Sequence, residues 1–237
     1  MRALVISDIH GNIEVLRALE RQWGARLDEF DRVVCLGDLV DYGPDPGEVI
    51  DWVRSRATDV IRGNHDHAMA TGEPCGSAPA YLEASILTRE RLQSTLTKDE
   101  LAYLDQLPMR QTLTAGGVNW HLVHATPADP LHAYVSPDST DEHWVSALAG
   151  LTGQIVLVGH THLAFVRSVA GGLVINPGSI GMPRDGHPFG SYVIIQDHAA
   201  HFCRTVYDPE PMITRLRSLD LPAHVVDQLT RTFRTGT

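Results

Sequence analysis

Aspartate, asparagine and histidine recur in this chain at the ends of apolar segments. Asp8 and His10 follow Ala-Leu-Val-Ile-Ser, Asp38 follows Arg-Val-Val-Cys-Leu-Gly, and Asn64, His65 and Asp66 follow Asp-Val-Ile-Arg-Gly. His124 follows Val-Asn-Trp-His-Leu-Val, and His160 and His162 follow Gln-Ile-Val-Leu-Val-Gly. Carboxylate, imidazole and one amide form a mixed nitrogen and oxygen donor set, suited to manganese, iron, zinc, cobalt or nickel. Seven of these residues, Asp8, His10, Asp38, Asn64, His124, His160 and His162, are too many for one tetrahedral ion and suit two. Asp38, in the middle of the set, can bridge them. Two ions roughly 3.5–4 Å apart clamp the attacking and leaving oxygens of an in-line displacement at phosphorus. The expected chemistry is hydrolysis of a phosphate ester or anhydride by metal-bound hydroxide.

Singly, these residues have ordinary uses. Asp8 could cap the helix beginning near Asn12, Asn64 could be a turn residue, and His124 could be a satisfied core histidine. His160 and His162 say more, because alternate residues at a strand end face the same way. The ordered set of five strand-end groups carries the reading.

The five apolar runs are rich in Val, Ile and Leu and bounded by Gly, Asp or Asn, which predicts buried strands at 3–7, 32–37, 59–63, 118–123 and 154–159. Helical spacing links the first three: Ile13, Leu16, Leu19 and Trp23, then Val49, Ile50 and Val53. Strand–helix–strand alternation predicts parallel strands. If the five lie side by side, the loops at their carboxyl ends converge on one spot, where open α/β sheets bind ligands. Gly37, Gly63 and Gly159 stand directly before ligand positions, where backbone must come close to the site.

Helices are expected at 81–96 and, after a Thr97 cap, at 98–107. A hairpin turning at Gly116–Gly117 follows, then short strands at 164–169, 173–175, 192–196 and 201–206, and two closing helices near 211–218 and 222–234. Early strand–helix units followed by a meander predict two facing mixed sheets with helices outside, a four-layer α/β/β/α sandwich. No repeat or Ser/Gly linker divides the chain, so residues 1–237 are read as one domain.

Bulk properties narrow the function. The chain carries 19 basic and 29 acidic side chains and a formal charge of −10, with no basic stripe, so stable nucleic-acid binding is not expected. Bound metal would supply the local positive charge that a phosphate substrate requires. No apolar run approaches the roughly 20 residues that span a bilayer, and the opening Met-Arg-Ala-Leu-Val-Ile is too short for a signal peptide. Three cysteines without Cys-x-x-Cys spacing indicate neither a disulfide framework nor a zinc ribbon, and Cys35 sits inside an apolar run as a buried hydrophobe. A cytoplasmic location is expected.

In this order, Asp-x-His (8–10), Gly-Asp (37–38), Gly-Asn-His-Asp (63–66), His124 and Gly-His-Thr-His (159–162) resemble the calcineurin-like metallophosphoesterase superfamily, from residue 1 to about 195. The phrases at 37–46 and 176–186 resemble its small bacterial YfcE-like and diadenosine-tetraphosphatase-like branch. The resemblance implies that Asp8, His10 and His162 hold one ion with Asp38, and that Asn64, His124 and His160 hold the other with Asp38. It implies too that His65 is not a ligand but protonates the leaving oxygen, steadied by Asp66. An imidazole of pKa about 6.5 suits that task at neutral pH.

Outside the ligand set, Arg184 lies in an irregular loop with five Gly or Pro residues between 177 and 186, and could clamp a phosphate bidentately or pair with Asp185 or a nearby acid. Asn64 could also touch substrate, and Arg62 could do similar work to Arg184. The Gly/Pro-rich segment 71–79 could be a lid. His67 is expected in solvent, His121 within a strand, and His132, His143, His198, His201 and His224 at the surface. Asp41 and Tyr42 fall where related protein phosphatases carry Asp-Arg-Gly; the missing Arg weakens a phosphoprotein-phosphatase reading.

The function expected is hydrolysis of phosphodiesters or nucleotide phosphoanhydrides, a small-molecule phosphate ester or nucleotide being the substrate. A phosphomonoesterase could use the same site. A non-catalytic scaffold, as in a retromer subunit of this fold, would not need every ligand intact, and a DNA-repair nuclease would want a basic domain.

Overall fold

Side-chain alternation in the first strand sets the layers. In β1 (Arg2–Ile6), Ala3 and Val5 point to one face and Leu4 and Ile6 to the other, and all four are fully buried. A strand buried on both faces lies in an inner layer, covered by a sheet on one side and helices on the other.

The computed structural model describes residues 1–197 and 199–237; the expectation for His198 lies outside them. The chain continues through α1 (Ile13–Trp23), β2 (Arg32–Cys35), α2 (Pro46–Arg56), β3 (Asp59–Val60), α3 (Asn64–Thr71), α4 (Pro79–Leu92) and α5 (Lys98–Gln106). The hairpin β4 (Arg110–Ala115) and β5 (Val118–Val123) precedes α6 (Asp141–Ala147), β6 (Ile155–Leu157), β7 (Ala164–Val169) and β8 (Gly172–Pro177). Strands β9 (Gly190–Gln196) and β10 (Ala199–Thr205) and helices α7 (Glu210–Arg217) and α8 (Ala223–Thr235) complete it.

Two mixed five-stranded sheets result, ordered β10-β9-β1-β2-β3 and β4-β5-β6-β8-β7. β1, β2 and β3 run parallel, as do β5, β6 and β8, with antiparallel partners at the flanks. Between the sheets, Val5, Val34, Leu36 and Val193 meet Trp120, Leu122, Leu157 and Ile175. On the outer face of the first sheet, Leu4, Ile6, Val33 and Cys35 pack with Leu16, Leu19, Val49 and Val53 of α1 and α2. Beyond the second sheet, Trp144 and Ala147 of α6 cover Val123, Val156 and Val174. Helices, sheet, sheet and helix make the expected sandwich.

Local signals work as expected in several places. Gly116 and Gly117 adopt φ of 60° and 80° between paired Ala115 and Val118, as a tight hairpin requires. Thr97 caps α5 and Glu100 returns the bond to the Thr97 N–H.

Other boundaries move. The helix expected to reach residue 96 ends at Leu92 and tightens into a 3-10 turn at Gln93–Thr95. A helix at Asn64–Thr71 forms where a ligand loop was expected, and α6 had no predicted counterpart. The five ligand-bearing strands do not lie side by side either. Three belong to the first sheet and two to the second, so the loops converge across the sandwich at its carboxyl end.

Candidate functional site

Backbone hydrogen bonds lock the strand-end loops together. The N–H groups of Ile9 and His10 both donate to the Asp38 carbonyl, at 2.8 and 3.0 Å, and Asp8 donates to Gly37 at 3.0 Å. In the second sheet, Gly159 N–H donates to the His124 carbonyl at 2.8 Å. Glycine is required at the crossing of two loops: Gly37 has φ +91°, and a Cβ on Gly63 would lie 2.0 Å from Asp38 Oδ1.

Five of the seven expected ligands, Asp8, His10, Asp38, His160 and His162, hold left-handed backbone conformations, with φ between 50° and 67°. Side-chain-bearing residues rarely do so, and each such residue costs on the order of 1–3 kcal/mol. That strain turns the side chains inward, and all five are buried or nearly so.

The ring nitrogens are oriented from behind. Nδ1 of His10, His124 and His162 lies 2.9, 2.7 and 2.6 Å from the carbonyl oxygens of Val40, Leu36 and Met182. A carbonyl only accepts, so each Nδ1 carries a proton and Nε2 is the nitrogen turned to the centre; it presents a lone pair in neutral His10 and His162, and in His124 once its second proton has left. His10 Nε2 faces His162 Nε2 at 3.2 Å. Asn64 Oδ1 lies 3.0 Å from His124 Nε2 and 3.1 Å from His160 Nδ1, while its amide donates to the Cys75 carbonyl at 2.6 Å. That amide nitrogen is engaged with backbone, while Asn64 also lines the cavity described below.

Two groups of donor atoms close enough to share an ion follow: Asp8 with His10 and His162, and Asp38 with His124 and His160. Asp38 Oδ1 accepts from the His65 N–H at 2.9 Å, while Oδ2 lies 3.7 Å from His10 Nε2 and 3.2 Å from His124 Nε2, between the groups. Asp8 Oδ1 is buried with no hydrogen-bond partner among the described residues and lies 3.4 Å from His162 Nε2. Converging lone pairs, an orphaned carboxylate oxygen and a mixed N/O donor set fit divalent metal ions.

Electrostatics agree. Burial holds His10 and His162 well below the ordinary imidazole range, and burial with the neighbouring His124 takes His160 down to about 3, so all three are neutral. Burial raises Asp8 to about 6, with Asp38 adding to the rise. Asp38 stays far below the carboxylate range because His124 and His65 outweigh its burial. Burial would lower His124, but the carboxylate of Asp38 lifts it to about 9.

The expectation for Asp66 is corrected. Its carboxylate does not touch His65. It accepts backbone N–H bonds from Asp38, Leu39 and Gly63 at 2.8, 2.8 and 3.0 Å, and so ties the second ligand loop to the third. As third residue of α3, it is placed to bond the exposed N–H groups of its own helix start. Asp41 takes the orienting position: its Oδ2 lies 2.6 Å from His65 Nδ1 and also pairs with Arg89. Asp38 and Asp41 together raise the His65 pKa against the effect of burial. Asp41, His65 and Cys75 also form a compact donor group, but the Arg89 guanidinium already supplies the positive charge there.

A cavity of about 280 Å³ opens over these groups, lined by Asp38, Asn64, His65, His160, His162 and Arg184, with Tyr42, residues 76–79, His132 and Tyr134 around them. Segment 76–79 is one wall of the cavity, and Ser77 Oγ sits 3.2 Å from His65 Nε2. Arg184 stacks with its Cζ 4.0 Å from the Tyr81 ring centroid, and its buried Nε has no partner among the described residues. The expected alternative, a pair with Asp185, is not seen: Asp185 pairs with Arg204.

Arg62 departs from expectation, donating to the Leu107 carbonyl and lying near Asp105, away from the cavity. His67 is half-buried between Arg62 and Glu73, not free in solvent. Arg89 and Tyr134 had no sequence signal, since each comes from a loop or helix without a motif, whereas Ser77 lies in the segment 71–79 expected near the site. Asp41 and Tyr42 had one, in the segment after Asp38.

The family model of the calcineurin-like phosphoesterase superfamily domain matches residues 1–199. An uncharacterized protein of Methanocaldococcus jannaschii is 30% identical over 243 residues, covering 95% of this chain and 96% of its own. A metallophosphoesterase from Sphaerobacter thermophilus is 30% identical with a TM-score of 0.78, over 98% of this chain and 99% of its own. A hypothetical protein from Pyrococcus horikoshii shares the fold at 22% identity and a TM-score of 0.82, over 100% and 98%. No helix among the described residues is long and apolar enough to cross a membrane. Motifs, sandwich and matches converge, and this chain belongs to the calcineurin-like phosphoesterase superfamily.

Proposed function

We propose that this protein hydrolyses phosphodiester or nucleotide phosphoanhydride bonds with two divalent ions, manganese foremost. Asp8, His10 and His162 would hold one and Asn64, His124 and His160 the other, with Asp38 between them. The observation that carries this reading is the set of three imidazoles whose Nδ1 protons are engaged by backbone carbonyls, leaving each Nε2 as the nitrogen aimed at one centre. When bound, the ions supply Lewis-acid stabilisation of the phosphoryl oxygens and activation of water.

The chain's own residues do the rest. His65 holds a proton on Nε2, at the cavity, while Asp41 accepts from Nδ1 and fixes the ring. That proton goes to the leaving oxygen, a general-acid contribution of roughly 10²–10⁴-fold. Arg184 binds a non-bridging phosphate oxygen. Helices α7 and α8 complete the core over Tyr42 and Met182, which supports reading 1–237 as one functional unit.

Hydrolysis of bis-p-nitrophenyl phosphate and diadenosine tetraphosphate with added Mn²⁺ tests the reading. Turnover that chelator abolishes and Mn²⁺ restores is expected. Inactivity on a broad phosphate-ester panel with metal demonstrably bound would overturn it. Parallel p-nitrophenyl phosphate assays measure the preference for diesters over monoesters.

A further inference from the structure

Tyr134 is 54% exposed, at the rim of a cavity whose inner groups are buried. Its ring stands edge-on to His160, with centroids 5.8 Å apart. The loop carrying it is fixed. Asp129 Oδ1 accepts from the Leu131 and His132 N–H groups at 3.2 and 3.1 Å, and Leu131 and Val135 are buried on either side. Beside it the rim continues as the run of small residues Gly76–Pro79, packed so closely that a Cβ on Gly76 would lie 2.9 Å from His132 Cδ2. A large aromatic face is thus kept in water on a fixed support beside the proposed metal centre.

Building on the proposed phosphoesterase reading, we infer that Tyr134 is a stacking platform for a flat aromatic group carried by the substrate's phosphate, a nucleobase in preference to a simple sugar or alkyl group. An exposed aromatic face binds any base by stacking, because every base has a π-face. The phosphate would lie at Arg184 and the metal centre, with the base outside them against Tyr134.

Binding tests this without requiring turnover. Calorimetry on Mn²⁺-loaded protein compares AMP with ribose 5-phosphate. Wild type should favour AMP about tenfold, the factor corresponding to about 1.4 kcal/mol. In Tyr134→Ala the preference should fall to near one with ribose 5-phosphate affinity unchanged, and Tyr134→Phe should keep it. p-Nitrophenyl phosphate binding, measured likewise, should weaken in Tyr134→Ala if any flat ring is accepted. Its indifference alongside a lost AMP preference would narrow the platform to nucleobases. Equal binding of AMP and ribose 5-phosphate by wild type, or an AMP preference that survives Tyr134→Ala, overturns the inference. Either result leaves the phosphoesterase reading intact, since that reading stands on turnover.

Discussion

The two sides of the cavity are built by different means. The ligand side comes from strand ends: short loops in left-handed conformations, cross-braced by backbone hydrogen bonds, with side chains oriented from behind by carbonyls. The opposite side comes from Ser77 and its neighbours before α4, the loop carrying His132 and Tyr134, and Arg184, braced by side chains such as Asp129 and Tyr42 and not by paired strand ends. The first side is over-determined and tolerates only its own residue types. The second can change its lining without disturbing the sandwich. On the proposed function, chemistry and specificity occupy separable structures, in keeping with loops carrying function on a rigid scaffold.

Substitutions on the ligand side should have the largest effects. Asp38→Ala removes the carboxylate between the two donor groups. We expect metal content to fall from two ions to one or none, with activity lost entirely; retention of both ions would break the division just drawn. His65→Ala should keep both ions by elemental analysis and lower kcat by roughly 10²–10⁴-fold, most for poor leaving groups. Loss of metal instead would make His65 a ligand.

Asp41→Asn and Asp66→Asn should separate orientation from scaffold. The first should lower kcat because the His65 ring loses its anchor, and should also lower the melting temperature because the Arg89 guanidinium loses its buried partner. The second should lower the melting temperature, because three backbone N–H groups lose a charged acceptor, each bond worth roughly 1.5–3 kcal/mol. A kcat loss confined to Asp66→Asn would restore Asp66 as the partner of His65. On the opposite side, Arg184→Met should raise KM about tenfold and leave metal content and melting unchanged. A fall in metal content would show that the two sides are not separable.

The smallest effect is in pH. His124, lifted to about 9 by Asp38, and Asp8, raised to about 6 by burial, must release protons before they can bind metal. Mn²⁺ affinity should therefore rise from pH 6 to pH 9, with proton release measurable from the buffer dependence of the binding enthalpy. His10, His160 and His162 are already neutral and contribute none. A flat affinity across that range would contradict the charge assignments.

How far the sequence disclosed this follows the same division. The proposed ligand positions are legible because strands announce themselves by apolar runs and each run is followed directly by one of them, with His10 and His162 two residues further on. Asp8, Asp38, His124 and His160 could be found by that rule alone. Asp66 was misread because adjacency in sequence is a poor guide to contact at a helix start. There a carboxylate satisfies the exposed N–H groups, while His65 turns to a residue 24 positions away. Arg89 and Tyr134 were invisible because their roles depend on where α4 and the loop after β5 pack, and neither follows from periodicity. The split of the ligand strands between two sheets was hidden for a similar reason: strand pairing is a long-range choice.

The claim on which the rest depends is that these side chains hold two ions at one centre. Anomalous diffraction from crystals soaked in Mn²⁺ tests it most directly. The prediction is two peaks roughly 3.5–4 Å apart, one among Asp8, His10 and His162, the other among Asn64, His124 and His160, with Asp38 touching both. A single peak, or none in protein that remains folded, would contradict it.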